Sequence, residues 1–161
     1  MWHKYWTPPI VLLTLVTLCA VWPVRAADDD APTAGELALV PVEPDMHEFM
    51  EYAFEPVFHP LKEAMATEPK DGKGWKAVKA GGLLLAESGN LLMMRAPTDD
   101  AEEITEWNKL SVAMRVEAQN LYRAGKSRTY ADAKTSYTAM VARCNACHDR
   151  FADGEHQQKA F

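Results

Sequence analysis

The chain predicts an all-α domain, an antiparallel up-down-up-down four-helix bundle, and three observations lead there. Four stretches carry apolar residues about 3.6 positions apart, no stretch sustains the alternation of a strand, and the links between them are short. Short links make sequential helices antiparallel neighbours whose apolar stripes converge on one core.

The first stretch runs Met46, Phe49, Met50, Ala53, Phe54, Val57, Leu61, Ala64, Met65, with Asp45 as N-cap and Glu48 completing a capping box. Pro56 and Pro60 interrupt it. Each removes a backbone donor and crowds the preceding turn, which predicts a kinked helix or two helices stacked end to end. The second stretch runs Trp75, Val78, Gly82, Leu85, Ala86, Gly89, Leu92, Met93, opened by Asp71-Gly72-Lys73-Gly74 and closed before Pro97. Its glycines lower helix propensity, and Gly81, Gly82 and Gly89 either admit a close neighbour or are tolerated weak positions. The third runs Ile104, Trp107, Ser111, Met114, Ala118, Leu121, capped around Thr98 or Asp99 and stopped at Gly125. The fourth runs Tyr130, Ala133, Tyr137, Met140, Val141, Cys144, Cys147, His148, Phe151, with Thr129 as N-cap and Asp132 in the first turn.

Before this domain the chain reads as an export leader. His3 and Lys4 precede 13 residues, Ile10 to Trp22, that are largely apolar, and Val24-Arg25-Ala26 has the small-residue spacing of a cleavage site. Thirteen residues fall short of the roughly 18 or more of a membrane-spanning helix, so no span is expected after cleavage. Residues 27–44 hold Asp28-Asp29-Asp30 and Pro32, Pro41 and Pro44 without periodicity, which reads as a flexible linker. Residues 45–152 form the folded domain and 153–161 a polar tail. Residues 1–26 hold two basic and no acidic side chains, which leaves 15 Lys+Arg against 23 Asp+Glu, a balance of −8. That sign argues against nucleic acid as a partner; a basic protein, or simply water, suits it better.

Removal of the leader takes Cys19 with it and leaves two cysteines, both in Cys144-Asn145-Ala146-Cys147-His148. On a helix the three functional residues fall within about 100° of one face. Two thiols and an imidazole in that spacing match covalent attachment of a c-type haem, the thiols adding to its two vinyl groups and His148 supplying a nitrogen to iron. A CxxC pair also serves zinc sites and thiol exchange. A structural zinc site needs about four ligands, and no second CxxC, CxxH or HxxxH cluster occurs. A redox dithiol belongs to a βαβ pattern, which is missing as well. Arg143 and Arg150 flank the motif and suit haem propionates as well as they suit solvent. Phe49, Phe54, Trp75, Trp107, Tyr137 and Phe151 suit either an apolar wall around the cofactor or plain core packing.

The run Arg143-Cys144-Asn145-Ala146-Cys147-His148-Asp149-Arg150-Phe151, at the end of the last of four helices, resembles the class II c-type cytochromes, the cytochrome c-prime group and its low-spin relatives. The resemblance covers residues 45–152 and is specific at the motif; elsewhere it is helical pattern only. It implies one covalently attached haem c near the C-terminal end of the last helix, in an exported protein of the periplasm that exchanges single electrons with redox protein partners and is not an enzyme. In the family a first-helix residue faces the distal side of the haem. Methionine there fills the sixth position and favours electron transfer through Fe(III)/Fe(II) cycling. A non-ligand leaves a five-coordinate iron open to NO or CO, the alternative function. Met50 is the first choice and Met46, one turn earlier, the alternative; His47 and His59 are further nitrogen donors. The family's arginine one turn before the ligand is missing here, which leaves the register open. His156 falls in the polar tail and reads as solvated. Family members often pair through their first two helices, and the prolines here alter that surface, so a homodimer stays open.

Overall fold

The computed structural model describes residues 39–161; the leader read at 1–26 and residues 27–38 of the linker lie outside the described residues. All regular structure among the described residues is helical. It comprises α1 (Met46–Phe49), a π-helical turn (Met50–Phe54), α2 (Glu55–Met65), α3 (Gly72–Leu92), α4 (Ala101–Ser127) and α5 (Tyr130–Phe151). α2 packs on α3, α3 on α4 and α4 on α5, the helix-on-helix layering of a bundle. No helix among the described residues is long and apolar enough to cross a membrane.

The first apolar stretch is one continuous run, α1 through α2, and the prolines change its winding rather than cut it. Ahead of Pro56 the helix winds wider over five residues, Met50–Phe54, and the Glu55 amide reaches back to the Met50 carbonyl. Pro56 then sits in the first turn of α2, where a missing N–H costs least, and Pro60 lies inside α2 without ending it. Both prolines are exposed, so carbonyls left without a helical donor lie on a solvent-facing side. The wide turn also shifts the apolar phase, which puts Phe58 in the core and leaves Val57 half-buried. Asp45 caps as expected, its carboxylate accepting from the Glu48 amide at 3.0 Å. The capping box is half formed, because the Asp45 amide donates to Glu43 at 2.7 Å instead of to Glu48.

Asp71 opens α3 by accepting from the Gly74 amide at 2.8 Å. The glycines of α3 serve close helix approach. A Cβ on Gly82 would stand 2.8 Å from the Tyr122 backbone nitrogen of α4, and one on Gly89 would stand 2.8 Å from the Arg115 Cβ. Gly125 belongs to the same contact and not to a helix end: a Cβ there would meet Val78 and Lys79 at 3.1 to 3.3 Å. α4 therefore continues to Ser127, and Arg128 takes the left-handed closing position at φ 57°. Its opening also differs from the sequence reading, because Asp100 is the cap, accepting from the Glu102 and Glu103 amides at 2.9 Å each. Thr129 holds the N-cap position of α5, but its hydroxyl meets the Ser127 hydroxyl at 3.1 Å and caps nothing.

Leu61, Met65, Val78, Leu121, Tyr137 and Met140 are the fully buried centre. Around it, Tyr130 donates to the Met65 carbonyl at 3.0 Å and Phe58 stacks near Tyr137 at 6.4 Å, so α2 and α5 meet at that end. Toward the other end Trp107 donates from Nε1 to the Leu92 carbonyl at 2.7 Å and meets Phe151 edge to face at 5.2 Å.

Candidate functional site

The cysteine and histidine pentapeptide occupies the last two turns of α5, where the helix face of Tyr137, Met140 and Val141 continues into Cys144, Cys147 and His148. The buried upper part of that face anchors it, and the lower part borders open space. A cavity of about 430 Å³ lies there, within the roughly 300–1,000 Å³ of small-molecule and cofactor sites. One wall is Arg143, Cys144, Cys147, His148 and Phe151 of α5. The facing wall is Met46 and His47 of α1 with Met50 and Phe54 of the π turn, and α3 and α4 close the back with Leu85, Leu92, Trp107, Ser111 and Met114.

The residues singled out from sequence therefore divide. Cys144, Cys147, His148, Arg143, Met50, Met46 and His47 all border this one cavity. Met46 and Met50 are half-buried, whereas His47 is largely in water, 71% exposed and 3.7 Å from Glu51. His59 is an exposed residue of α2 beside Phe58 and does not line the cavity. Arg150 is also elsewhere, donating to Glu103 at 3.0 Å. Of the aromatic residues, Phe54, Trp107 and Phe151 border the space, while Phe49, Trp75 and Tyr137 are core.

Burial governs the chemistry of the motif. It pushes the Cys144 thiol up to about 12, with a smaller contribution from Cys147, and pushes Cys147 up to about 11. Both are free thiols and stay protonated at neutral pH, unlike the low-pKa thiolates of exchange enzymes and zinc sites. Burial lowers the basicity of His148 in the same way, partly offset by its hydrogen bond to the His156 carbonyl. Among the described residues no group of three or more His, Cys, Asp or Glu side chains is placed to hold a metal ion.

Two features lay beyond sequence reasoning. Ser111 borders the cavity but is 1% exposed, and its Oγ is buried with no hydrogen-bond partner, an orphaned polar atom beside that space. A serine amid the apolar positions of the third stretch was its one visible sign. The polar tail is the second feature: it turns back on α5, and His156 and Gln158 join the cavity rim. Nothing in its composition marks that return. Comparison of the chain with protein families, with curated proteins and with solved structures returns no match.

Proposed function

We propose that this protein is a monohaem c-type cytochrome that carries single electrons, with one haem c held in the cavity beneath α5. The observation that carries the reading is the convergence on one mostly apolar space of two protonated thiols, a neutral-leaning imidazole and a methionine-bearing turn from the other end of the sequence. The space, lined mostly by apolar side chains, suits a flat, largely apolar group. When bound, the haem supplies one-electron Fe(III)/Fe(II) chemistry.

This chain's residues supply the rest. Cys144 and Cys147 would hold the macrocycle to α5 through thioethers, each thiol's S–H adding across a vinyl double bond, and His148 would offer its nitrogen to iron from the same helix face. Met50 is the preferred sixth ligand and Met46 the alternative, both thioethers that favour the reduced state. Arg143 faces the rim as a partner for propionate, whereas Arg150 is already paired with Glu103. Phe54, Trp107, Leu85 and Leu92 exclude water and so tune the potential. Gly82 opposite Tyr122, Gly89 opposite Arg115 and Gly125 opposite Val78 form a descending register that supports antiparallel α3 and α4, in keeping with an up-down-up-down bundle of the class II cytochrome kind. Export to the periplasm and electron exchange with redox proteins there complete the proposal. A second reading, a five-coordinate iron open to NO or CO, draws on Phe54, Phe58 and Leu85, which share the space with the methionines and cannot ligate.

Maturation in a host with haem-attachment machinery, followed by intact mass and oxidised and reduced spectra with and without carbon monoxide, tests both readings. One haem mass added and a spectrum indifferent to carbon monoxide is the expected result. Rapid carbon monoxide binding selects the second reading, and a polypeptide that never gains haem mass overturns both.

A further inference from the structure

The C-terminal segment is fastened to the very residues of the cysteine motif. Beyond α5, Asp153, Gly154 and His156 take left-handed conformations at φ 50°, 76° and 58°, and these turn the chain back along the helix. Asn145, the residue after the first motif cysteine, then binds the returning strand through both ends of its amide: Nδ2 donates to the Gln158 carbonyl at 2.9 Å, and Oδ1 accepts from the Gln158 amide at 2.8 Å. Gln157 adds a bond from Nε2 to Asp149 at 2.9 Å, and Phe161 meets Tyr137 edge to face at 5.4 Å. Held this way, the His156 carbonyl stands 3.0 Å from Nδ1 of His148.

A carbonyl can only accept, so Nδ1 must carry the proton and Nε2 keeps its lone pair. We propose that residues 153–161 are a strap, clamped by Asn145, whose His156 carbonyl fixes the ring orientation and the tautomer of His148 so that Nε2 is the donor nitrogen. This rests on the haem reading of the site above, and it assigns a positioning role to Asn145 and the tail that the CxxCH spacing itself does not contain. A left-handed conformation at His156, a residue with a Cβ, costs energy that the strap's contacts offset, the two bonds between Asn145 and Gln158 among them. Hydrogen bonding of a ligating imidazole to a carbonyl makes the nitrogen a stronger donor and stabilises the oxidised metal.

The test uses the full-length haem-loaded protein and three changes: Asn145→Ala, Asn145→Asp, and a chain ended after Gly154. Amide hydrogen exchange over residues 152–161 reads whether the strap is held, and the midpoint potential reads whether it acts on His148. Asn145→Ala is expected to lose protection in this segment and to favour the reduced form severalfold, where tenfold is 59 mV for a one-electron couple. Asn145→Asp keeps the acceptor for the Gln158 amide and falls between, and the shortened chain matches Asn145→Ala in potential. Protection unchanged in Asn145→Ala overturns the clamp; potential unchanged in both Asn145→Ala and the shortened chain overturns the positioning role. Wild type that takes up no haem fails the functional reading instead, and hydrogen exchange on that same chain still decides whether the strap is held.

Discussion

The first helical run, α1 through α2, faces α5 at both of its ends, and the two ends are built in opposite ways. At the Met65 end Tyr130 bonds across to the Met65 carbonyl, Phe58 stacks near Tyr137, and Leu61 is 1% exposed. At the Met46 end the same pair of chain segments is held apart by a cavity of about 430 Å³, with thiols and imidazole on one side and methionines on the other. Close packing is the default of a protein interior, so a space of that size between well-packed helices sets this end apart from the other. One end is closed by packing, and the other leaves an open, mostly apolar space, the one the proposed haem would fill.

Four outcomes would break or sharpen that contrast. The largest effect belongs to the motif: a Cys144→Ser, Cys147→Ser double variant is expected to lose all covalently bound haem, read by intact mass after denaturation, while far-ultraviolet circular dichroism stays helical. Collapse of helicity together with haem would mean that the closed end cannot hold the fold by itself. Next, Leu61→Ala at the packed end should cost about 2–5 kcal/mol in urea unfolding. Phe54→Ala, half-buried beside the cavity, should cost about 1 kcal/mol, because its ring has fewer partner atoms to lose. Equal losses would dissolve the distinction between the ends. Gly82→Ala drives a methyl onto the Tyr122 backbone, which cannot swing aside, and should cost about 1–3 kcal/mol by the same measurement.

The smallest effect concerns Tyr137, whose hydroxyl is buried without a partner. Burial, with Cys144 adding to it, pushes this phenol from about 10 up to about 12. The folded state thus holds a proton that the unfolded chain releases first, so stability is present below pH 10 and is lost as pH rises toward 12. Tyr137→Phe removes that loss. Its unfolding midpoint should be equal to or slightly above wild type at pH 7, by less than about 1 kcal/mol, and clearly above it at pH 11. A Tyr137→Phe midpoint well below wild type at pH 7 would show that the hydroxyl has a partner and that the packed end is less closed than described.

Much of the architecture was legible because it rests on local rules. Asp45 and Asp71 cap where acidic residues precede apolar periodicity, and the four apolar stretches become the four helical runs. The failures are also local in cause. Gly125 reads as a stop because glycine commonly ends helices, yet here it is spent on letting α3 approach, and Arg128 does the ending. Phe58 was missing from the predicted core because a five-residue turn before Pro56 advances the phase, and strict periodicity carries no memory of such a turn. At the site, Cys144, Cys147 and His148 were readable from spacing alone. Ser111 and Leu85 were not, since each borders the cavity from a different helix, and nor was the strap, whose return depends on left-handed turns that its polar composition does not mark.

Sequence alone sufficed for which stretches form helices and for Cys144, Cys147 and His148 sharing one helix face, because spacing along one helix is a property of consecutive residues. Only the tertiary structure decided that Met46, His47 and Met50 share a wall with His148 while His59 does not, and that a tail of polar composition returns to bond Asn145 and His148. Met46, His47 and Met50 stand about a hundred positions from His148, so their meeting depends on how whole helices pack, while the tail's return depends on left-handed turns at Asp153, Gly154 and His156 that composition does not reveal.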